Sequence, residues 1–513
     1  MTDSHWAFTL LTWLEVVFIT FIGVALLAVI VMYIADVNQN THAIRKNYPV
    51  IGRFRYFFEH LGEFFRQYFF AHDREEMPFN RADRSWVYRA AKNVDRNIGF
   101  GSTLELNKPG TLLFLNAAFP IQEHDALIPS PITLGPFCRK PYTTHSIFNI
   151  SGMSYGAISR PAILALSRGA AKAGCWLNTG EGGLSPYHLD GGCDLVFQIG
   201  TAKYGVRDLD GNLSDARLQE LAAIPQIRMF EIKLSQGAKP GKGGILPAEK
   251  VSAEVAAIRG IPEGQASISP NGHTDIRSVV DLLKMINHIR NVTGKPVGFK
   301  AVLGEKNWLL DLINEIRVQG IESAPDFITL DSSDGGSGAA PQPLMDHVGL
   351  PIKESLPWVA ALLTEAGLKD RIKLVVAGKL VTPHMVAWAL ASGADFVNSA
   401  RGFMFALGCI QALQCHKNTC PTGITTHNIQ LQKGLDPTDK TQRVAAYQMN
   451  ITKSVSMIAH SCGLAEPRQL KSEHIHIVNA NGFSVPLSEV NPQPLIFSSH
   501  RTQPGTNETV TKL

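Results

Sequence analysis

Three thiols stand within one twelve-residue stretch, Cys409, Cys415 and Cys420 in GCIQALQCHKNTCP, spaced C-x5-C-x4-C with Pro421 directly behind the last. Thiolates this close together are what an iron–sulfur cluster lacking one corner iron requires, and a proline beside a ligand is familiar from cluster-binding runs. Zinc is the competing occupant, with His416 or His427 completing a Cys3His set, and plain packing of buried thiols is the structural alternative. Cys138, Cys175, Cys193 and Cys462 are isolated and read as packing residues. Seven cysteines in 513 residues are too few for a disulfide scaffold, so the grouped three point to metal chemistry in a reducing compartment.

Other residues suited to chemistry sit in glycine-rich turns. AGKLVTP (377–383) and SARGFMF (399–405) each put a small residue behind an apolar run, and Gly378, Gly402 and the charge of Arg401 suit a phosphate; two ordinary turns are the rival reading. In DSSDGGSGAAP (331–341), Gly335 and Gly336 would let backbone lie against a flat ligand, or simply form a flexible surface loop. Lys300 closes the apolar run VGFK, where an unpaired ammonium is expensive to bury, so it is expected to face an anionic partner. A flavin is one such partner, because a cation near its pyrimidine edge stabilises the reduced, anionic ring. In EIKLSQGAKPGKGGILP (231–247), Lys233, Gln236 and Lys239, with Arg259 beyond, could bind a dicarboxylate through charge-assisted hydrogen bonds; a solvated basic loop is the alternative.

These turns need a frame. Short apolar runs recur at 145–151, 194–200, 229–234, 296–303, 326–332, 372–378 and 395–400, and amphipathic helical patterns lie between them at 161–174, 278–292, 308–320 and 383–394. Such alternation predicts parallel βα units buried on both faces. A (β/α)8 TIM barrel in the α/β class fits best, since the polar turns follow the strands, where such barrels carry their active sites. A doubly wound open sheet is the rival that periodicity cannot separate.

Composition agrees with a folded protein: 45% hydrophobic and 18% charged residues exclude a disordered or fibrous chain. The net charge of +4 is spread along the sequence, so no nucleic-acid partner is expected. Val16–Ile34 carries no charge, and its 19 residues reach about 28 Å as a helix, enough for one bilayer crossing. Arg45, Lys46, Arg53 and Arg55 follow it and no Lys or Arg precedes it, which puts residues 1–15 outside and the catalytic part in the cytoplasm, on an inner (plasma) membrane. Residues 35–99 read as a juxtamembrane and linker region. Within them, the paired aromatics of YFFEHLGEFFRQYFF (56–70) suit either the headgroup level or packing under a barrel. Residues 481–513 read as a C-terminal tail, mostly polar from Asn491.

Over residues 100–480 the chain resembles the FMN-binding synthase domain of glutamate synthases. GMSYGAIS (152–159), NTGEGG (178–183), QGAKPGKGG (236–244), SDGGSGA (333–339) and the cysteine triplet carry the resemblance, in the family's order and at similar spacing. It implies a (β/α)8 barrel with FMN and a 3Fe-4S cluster that reduces the imine of 2-oxoglutarate and ammonia to L-glutamate. By position it implies that Met153, Ser154 and Tyr155 lie against FMN, Gln198 and Lys300 near its ring, and Gly378, Arg401 and Gly402 at its phosphate. Gln236, Lys239 and Arg259 would hold the 2-oxo acid, Glu181 would sit near the ammonia and the substrate, and Cys409, Cys415 and Cys420 would hold the cluster.

Three departures qualify this. No glutaminase domain with an N-terminal catalytic cysteine precedes the synthase region, no large β-helix follows it, and Lys242 and Ile245 stand where the family has an acidic residue and a glutamine. The last two substitutions open the alternative of an amine or amino-acid dehydrogenase, and a non-catalytic membrane-tethered subunit is a third reading. The chain contains no GxGxxG dinucleotide fingerprint, so electrons are expected from an external donor: a ferredoxin, an NAD(P)H-oxidising subunit or a quinol.

Overall fold

The computed structural model describes residues 3–94 and 97–490, so the segment from Asn491 onward lies outside the described residues. The chain divides into two compact units, Met1–Ala82 and Asp83–Leu513.

In the second unit, eight parallel strands close into a barrel. They are β1 (Phe148–Ile150), β2 (Leu177–Asn178), β3 (Leu195–Ile199), β4 (Ile227–Lys233), β5 (Val297–Val302), β6 (Phe327–Asp331), β7 (Lys373–Ala377) and β8 (Phe396–Ser399). Closure is direct, because β8 pairs with β1 through Val397 and Phe148, Asn398 and Asn149, and Ser399 and Ile150. The open sheet is thereby excluded. Seven strands match the apolar runs read from the sequence, and β2 does not: only two residues pair, too few to leave a pattern. Helices cover the outside. Arg160–Ala173 and Val279–Thr293 are capped by Ser159 and Ser278, whose side chains accept from Ala162 N and Asp281 N, and both end on left-handed glycines.

The floor of the barrel is built by a hairpin that precedes β1 and that no apolar run in the sequence marked. Strands Ile132–Leu134 and Tyr142–Thr144 pair antiparallel, and Leu134 and Tyr142 pack with Trp176, Val196, Met229, Phe327, Val375 and Phe396 in one buried cluster. A charged knot sits at the same end, where buried Asp326 takes Arg290 Nε at 3.0 Å, Arg371 NH1 at 2.9 Å and the Val297 N–H at 2.8 Å. Val87 and Ala90 are buried and Asn450 Nδ2 donates to Ala90 O, while Ser484–Pro486 adds a strand to Ile475–Val478. Helix Pro437–Ser461 lies against Arg160–Ala173, and any Cβ at Gly169 would come within 2.4 Å of Val444, so glycine sets how close the two helices come.

In the first unit the apolar run lies inside a longer helix, Asp3–Asn38, whose most apolar window is wholly exposed. Near its end Asp36 is buried and accepts from Arg53 Nε and NH2 at 2.8 Å each, from Arg45 Nε at 3.2 Å and from Val50 N at 3.0 Å. Two of the arginines that follow the apolar run are thus held back onto the helix. Phe54, Phe57 and Phe58 in helix Gly52–Phe65, and Phe69 and Phe70 in the π-helical turn Arg66–Phe70, are all more than half exposed.

Candidate active site

The C-terminal ends of the strands converge on one open pocket at the mouth of the barrel. Its lining comes from β3 (Gln198), β4 (Lys233), β5 (Lys300), β6 (Asp331) and β8 (Asn398, Ser399), and from the turns behind β6, β7 and β8 (Gly335, Gly336, Gly378, Lys379, Arg401). With Ala377 of β7, six strands converge on this pocket, which follows from closure and which no single run encodes.

Lys300 is buried, and the anionic partner expected for it is Asp331, with Nζ to Oδ2 at 2.9 Å. Burial works against its charge, and Asp331, Glu231 and Glu181 outweigh burial and raise its pKa above the ordinary lysine value. Asp331 also accepts from Gly237 N at 3.0 Å, which ties β6 to the basic loop after β4. Gly378 has φ +136, and a Cβ there would lie 2.1 Å from Ser332, so the turn after β7 requires glycine. Arg401 NH2 donates to Asp334 O at 2.9 Å and Lys379 Nζ pairs with Asp334 Oδ2 at 3.1 Å. Asp334 therefore shares the end of the pocket read as a phosphate site. Gly402 is not among the lining residues: a Cβ there would meet the Tyr447 hydroxyl at 2.3 Å, and helix packing explains that glycine without a ligand.

Gln236, Lys239 and Arg259, the residues expected to hold a 2-oxo acid, come from one excursion, 234–278, between β4 and the helix Val279–Thr293. Lys233 Nζ lies 3.0 Å from Glu181 Oε1 and also donates to Gln236 Oε1. Glu181 reaches it from the turn after β2, where Gly180 N donates to Asn178 Oδ1 at 2.9 Å in a left-handed conformation, φ +68. Burial raises the pKa of Glu181, but Lys233, Lys239 and Arg259 more than offset this and hold the carboxyl below its ordinary value. Lys239 is buried, and desolvation followed by Lys233 lowers its pKa to about 8. Arg259 lies over the Tyr204 ring at 5.2 Å, donates to Ser267 Oγ and Tyr155 O at 3.3 Å each, and keeps a buried Nε without a partner among the described residues. Three cations therefore surround one carboxylate, an excess of positive charge that a dianion would complete. Ile245 is occupied in a two-residue ladder with Ile268, and Lys242 adds positive charge near Lys239.

Met153 and Tyr155 are buried on the turn beside Gly152, a lining residue; the Tyr155 hydroxyl donates to Glu254 Oε2 at 2.5 Å, and Ser154 packs on the Gly180–Gly182 turn. The three thiols follow helix Arg401–Leu407; Cys415 and Cys420 act electrostatically on Cys409, and Cys420 on Cys415. Burial pushes the Cys409 thiol up to about 12; burial also works to raise Cys420, but hydrogen bonds from Thr422 and Thr425 more than offset it and bring that thiol below its ordinary value. Among the described residues no three His, Cys, Asp or Glu side chains are grouped for a single metal ion, and His427 Nε2 is engaged with Gly156 O at 2.9 Å. An iron–sulfur cluster takes one thiolate per iron, and three thiols are the donor set that a three-iron cluster needs. Lys250, which the sequence reading passed over, is buried with Nζ donating to Cys415 O at 2.7 Å and Ala157 O at 3.3 Å, joining the thiol segment, the excursion and the turn after β1.

Comparisons with known proteins agree in direction. A family model described as a conserved region in glutamate synthase matches residues 121–465. The chain is 41% identical over 483 residues to the glutamate synthase large subunit-like protein YerD of Bacillus subtilis, covering 86% of this chain and 91% of that protein. It is 30% identical to a glutamate synthase large subunit-like protein of Rhizobium meliloti, covering 78% and 92%. With the archaeal glutamate synthase [NADPH] of Methanocaldococcus jannaschii it shares 35% identity over 63% of this chain, and spans 60% of that enzyme.

Proposed function

The chain belongs to the glutamate synthase family of oxidoreductases, and from that premise we propose that it forms L-glutamate from 2-oxoglutarate and ammonia with FMN in the barrel mouth and a 3Fe-4S cluster on Cys409, Cys415 and Cys420. The observation that carries the substrate is the set of Lys233, Lys239 and Arg259 around Glu181. Lys239 and Arg259, with Gln236, hold the two carboxylates, and the ionised Glu181 accepts a hydrogen bond from an N–H of ammonia and so turns the nitrogen lone pair toward C2. Loss of water leaves the imine, and two electrons and two protons complete the amino acid. When bound, FMN supplies the hydride to C2 and the cluster relays single electrons to it.

What supports FMN is the lining itself. Gln198, Lys300, Gly335, Gly336, Gly378 and Arg401 all line it. Asn398 Oδ1 is buried there without a partner among the described residues, leaving an acceptor for a ring N–H or a hydroxyl. Positive charge from Lys242 beside Lys239 favours a dianion over a neutral amine, which weighs against the dehydrogenase alternative. The exposed helix Asp3–Asn38 serves as a membrane anchor with the barrel on the cytoplasmic side, and an external ferredoxin, NAD(P)H-oxidising subunit or quinol supplies the electrons.

The test is anaerobic purification of the full chain, assay of flavin and iron, and addition of substrates to the reduced protein. Reoxidation of the flavin only when 2-oxoglutarate and ammonia are both present is the expected result. Protein without flavin, or reoxidation by 2-oxoglutarate alone, overturns the reading.

A further inference from the structure

Beneath the pocket floor, three side chains donate to one buried carboxylate that no step above uses. Glu231 on β4 accepts from Asn178 Nδ2 at 2.8 Å and Gln198 Nε2 at 2.7 Å on one oxygen, and from Thr329 Oγ1 at 2.5 Å on the other. It is 1% exposed, and pairing of β3 with β4 sets Gln198 abreast of it. The orientation of Asn178 is fixed by the same logic: its Oδ1 accepts from Gly180 N, a group that can only donate, so its NH2 must turn to Glu231.

We propose that Glu231 is a positioning residue that decides which end of the Gln198 amide faces the pocket. A carboxylate can only accept, so it takes the NH2 and turns the Gln198 carbonyl oxygen toward the ligand. The ring edge seated there must then offer an N–H. Glu231 also acts electrostatically on Lys300 and offsets part of the positive charge at that edge. The inference rests on the reading that FMN occupies the pocket, and deepens it by assigning the sense of one hydrogen bond and a control on the ring's potential.

The replacement Glu231→Gln offers Gln198 a donor as well as an acceptor, so the amide can reverse and present NH2 to an N–H. Apoprotein titrated with FMN, followed by fluorescence quenching, is expected to bind about tenfold more weakly in E231Q and in Gln198→Leu, the loss of one hydrogen bond. If Glu231 acts through Gln198, the double variant is also about tenfold weaker, where independent roles would give about a hundredfold. The midpoint potential of bound flavin should rise in E231Q, because Lys300 is then less offset. Should E231Q not fold, Glu231→Asp keeps the charge and shortens the reach, with the same weakening and the same lack of additivity expected. Multiplied losses in the double variant, or FMN affinity unchanged in a folded Glu231 variant, overturn the proposal. Wild-type apoprotein that binds no FMN overturns both it and the proposed function.

Discussion

Lys239 has its pKa lowered to about 8 because it is buried beside another lysine. A dianion binds the charged form, so affinity for 2-oxoglutarate should be full below pH 8 and fall as pH climbs through that value; KM measured from pH 7 to 9.5 checks this, and a flat profile would exclude Lys239 from binding. For folding the sign is opposite. The unfolded lysine holds its proton to higher pH, so between about 8 and the ordinary lysine value this group's contribution makes the apoprotein more stable as pH rises. At the other end of the site, Lys300→Met would strand the buried Asp331 carboxylate, and removing one partner of such a pair costs about 3–5 kcal/mol. Adding Asp331→Asn should recover much of that stability in chemical denaturation while the potential of bound flavin stays lowered. Of these residues Lys300 was legible as a buried cation needing an anion, but Asp331 was not, because it lies about thirty residues away and only strand pairing brings the two together.

Elements divide the work between the two ends of the barrel. The floor is held by the hairpin at Ile132–Leu134 and Tyr142–Thr144 and by the Asp326 knot. Asp326→Ala leaves two arginines buried without their carboxylate, so a loss of about 3–5 kcal/mol is expected in urea unfolding, with flavin affinity in the folded fraction unchanged. The mouth is held by excursions. The loop 234–278 and the thiol segment are tied by Lys250, whose ammonium reaches carbonyls of both the turn after β1 and Cys415. Lys250→Met should therefore loosen the thiol segment, read as faster hydrogen exchange at residues 409–420. Motif and periodicity located these elements, except β2 and the floor hairpin. Those are two to three residues per strand, below the length at which alternation becomes visible.

At the scale of the molecule, the N-terminal unit joins an exposed apolar helix to a collar of exposed aromatics and arginines. Deleting residues 3–38 should move activity from the membrane fraction to the soluble fraction with kcat for 2-oxoglutarate and ammonia unchanged. Activity that stays with membranes would shift the anchoring to the aromatic segment 52–70, whose rings suit the headgroup region.

The sequence by itself determined the barrel class, because apolar strands alternating with amphipathic helices have few other ways to bury both faces. It also determined the cysteine triplet, the glycine turns and the apolar helix, since each is a local property of composition and spacing. Only the tertiary structure decided which charges neutralise one another. Lys300 with Asp331, Lys233 with Glu181, and the three donors on Glu231 meet across strands far apart in the chain. Closure of the barrel brings them within hydrogen-bond distance, and no pattern in a linear sequence records a distance through space.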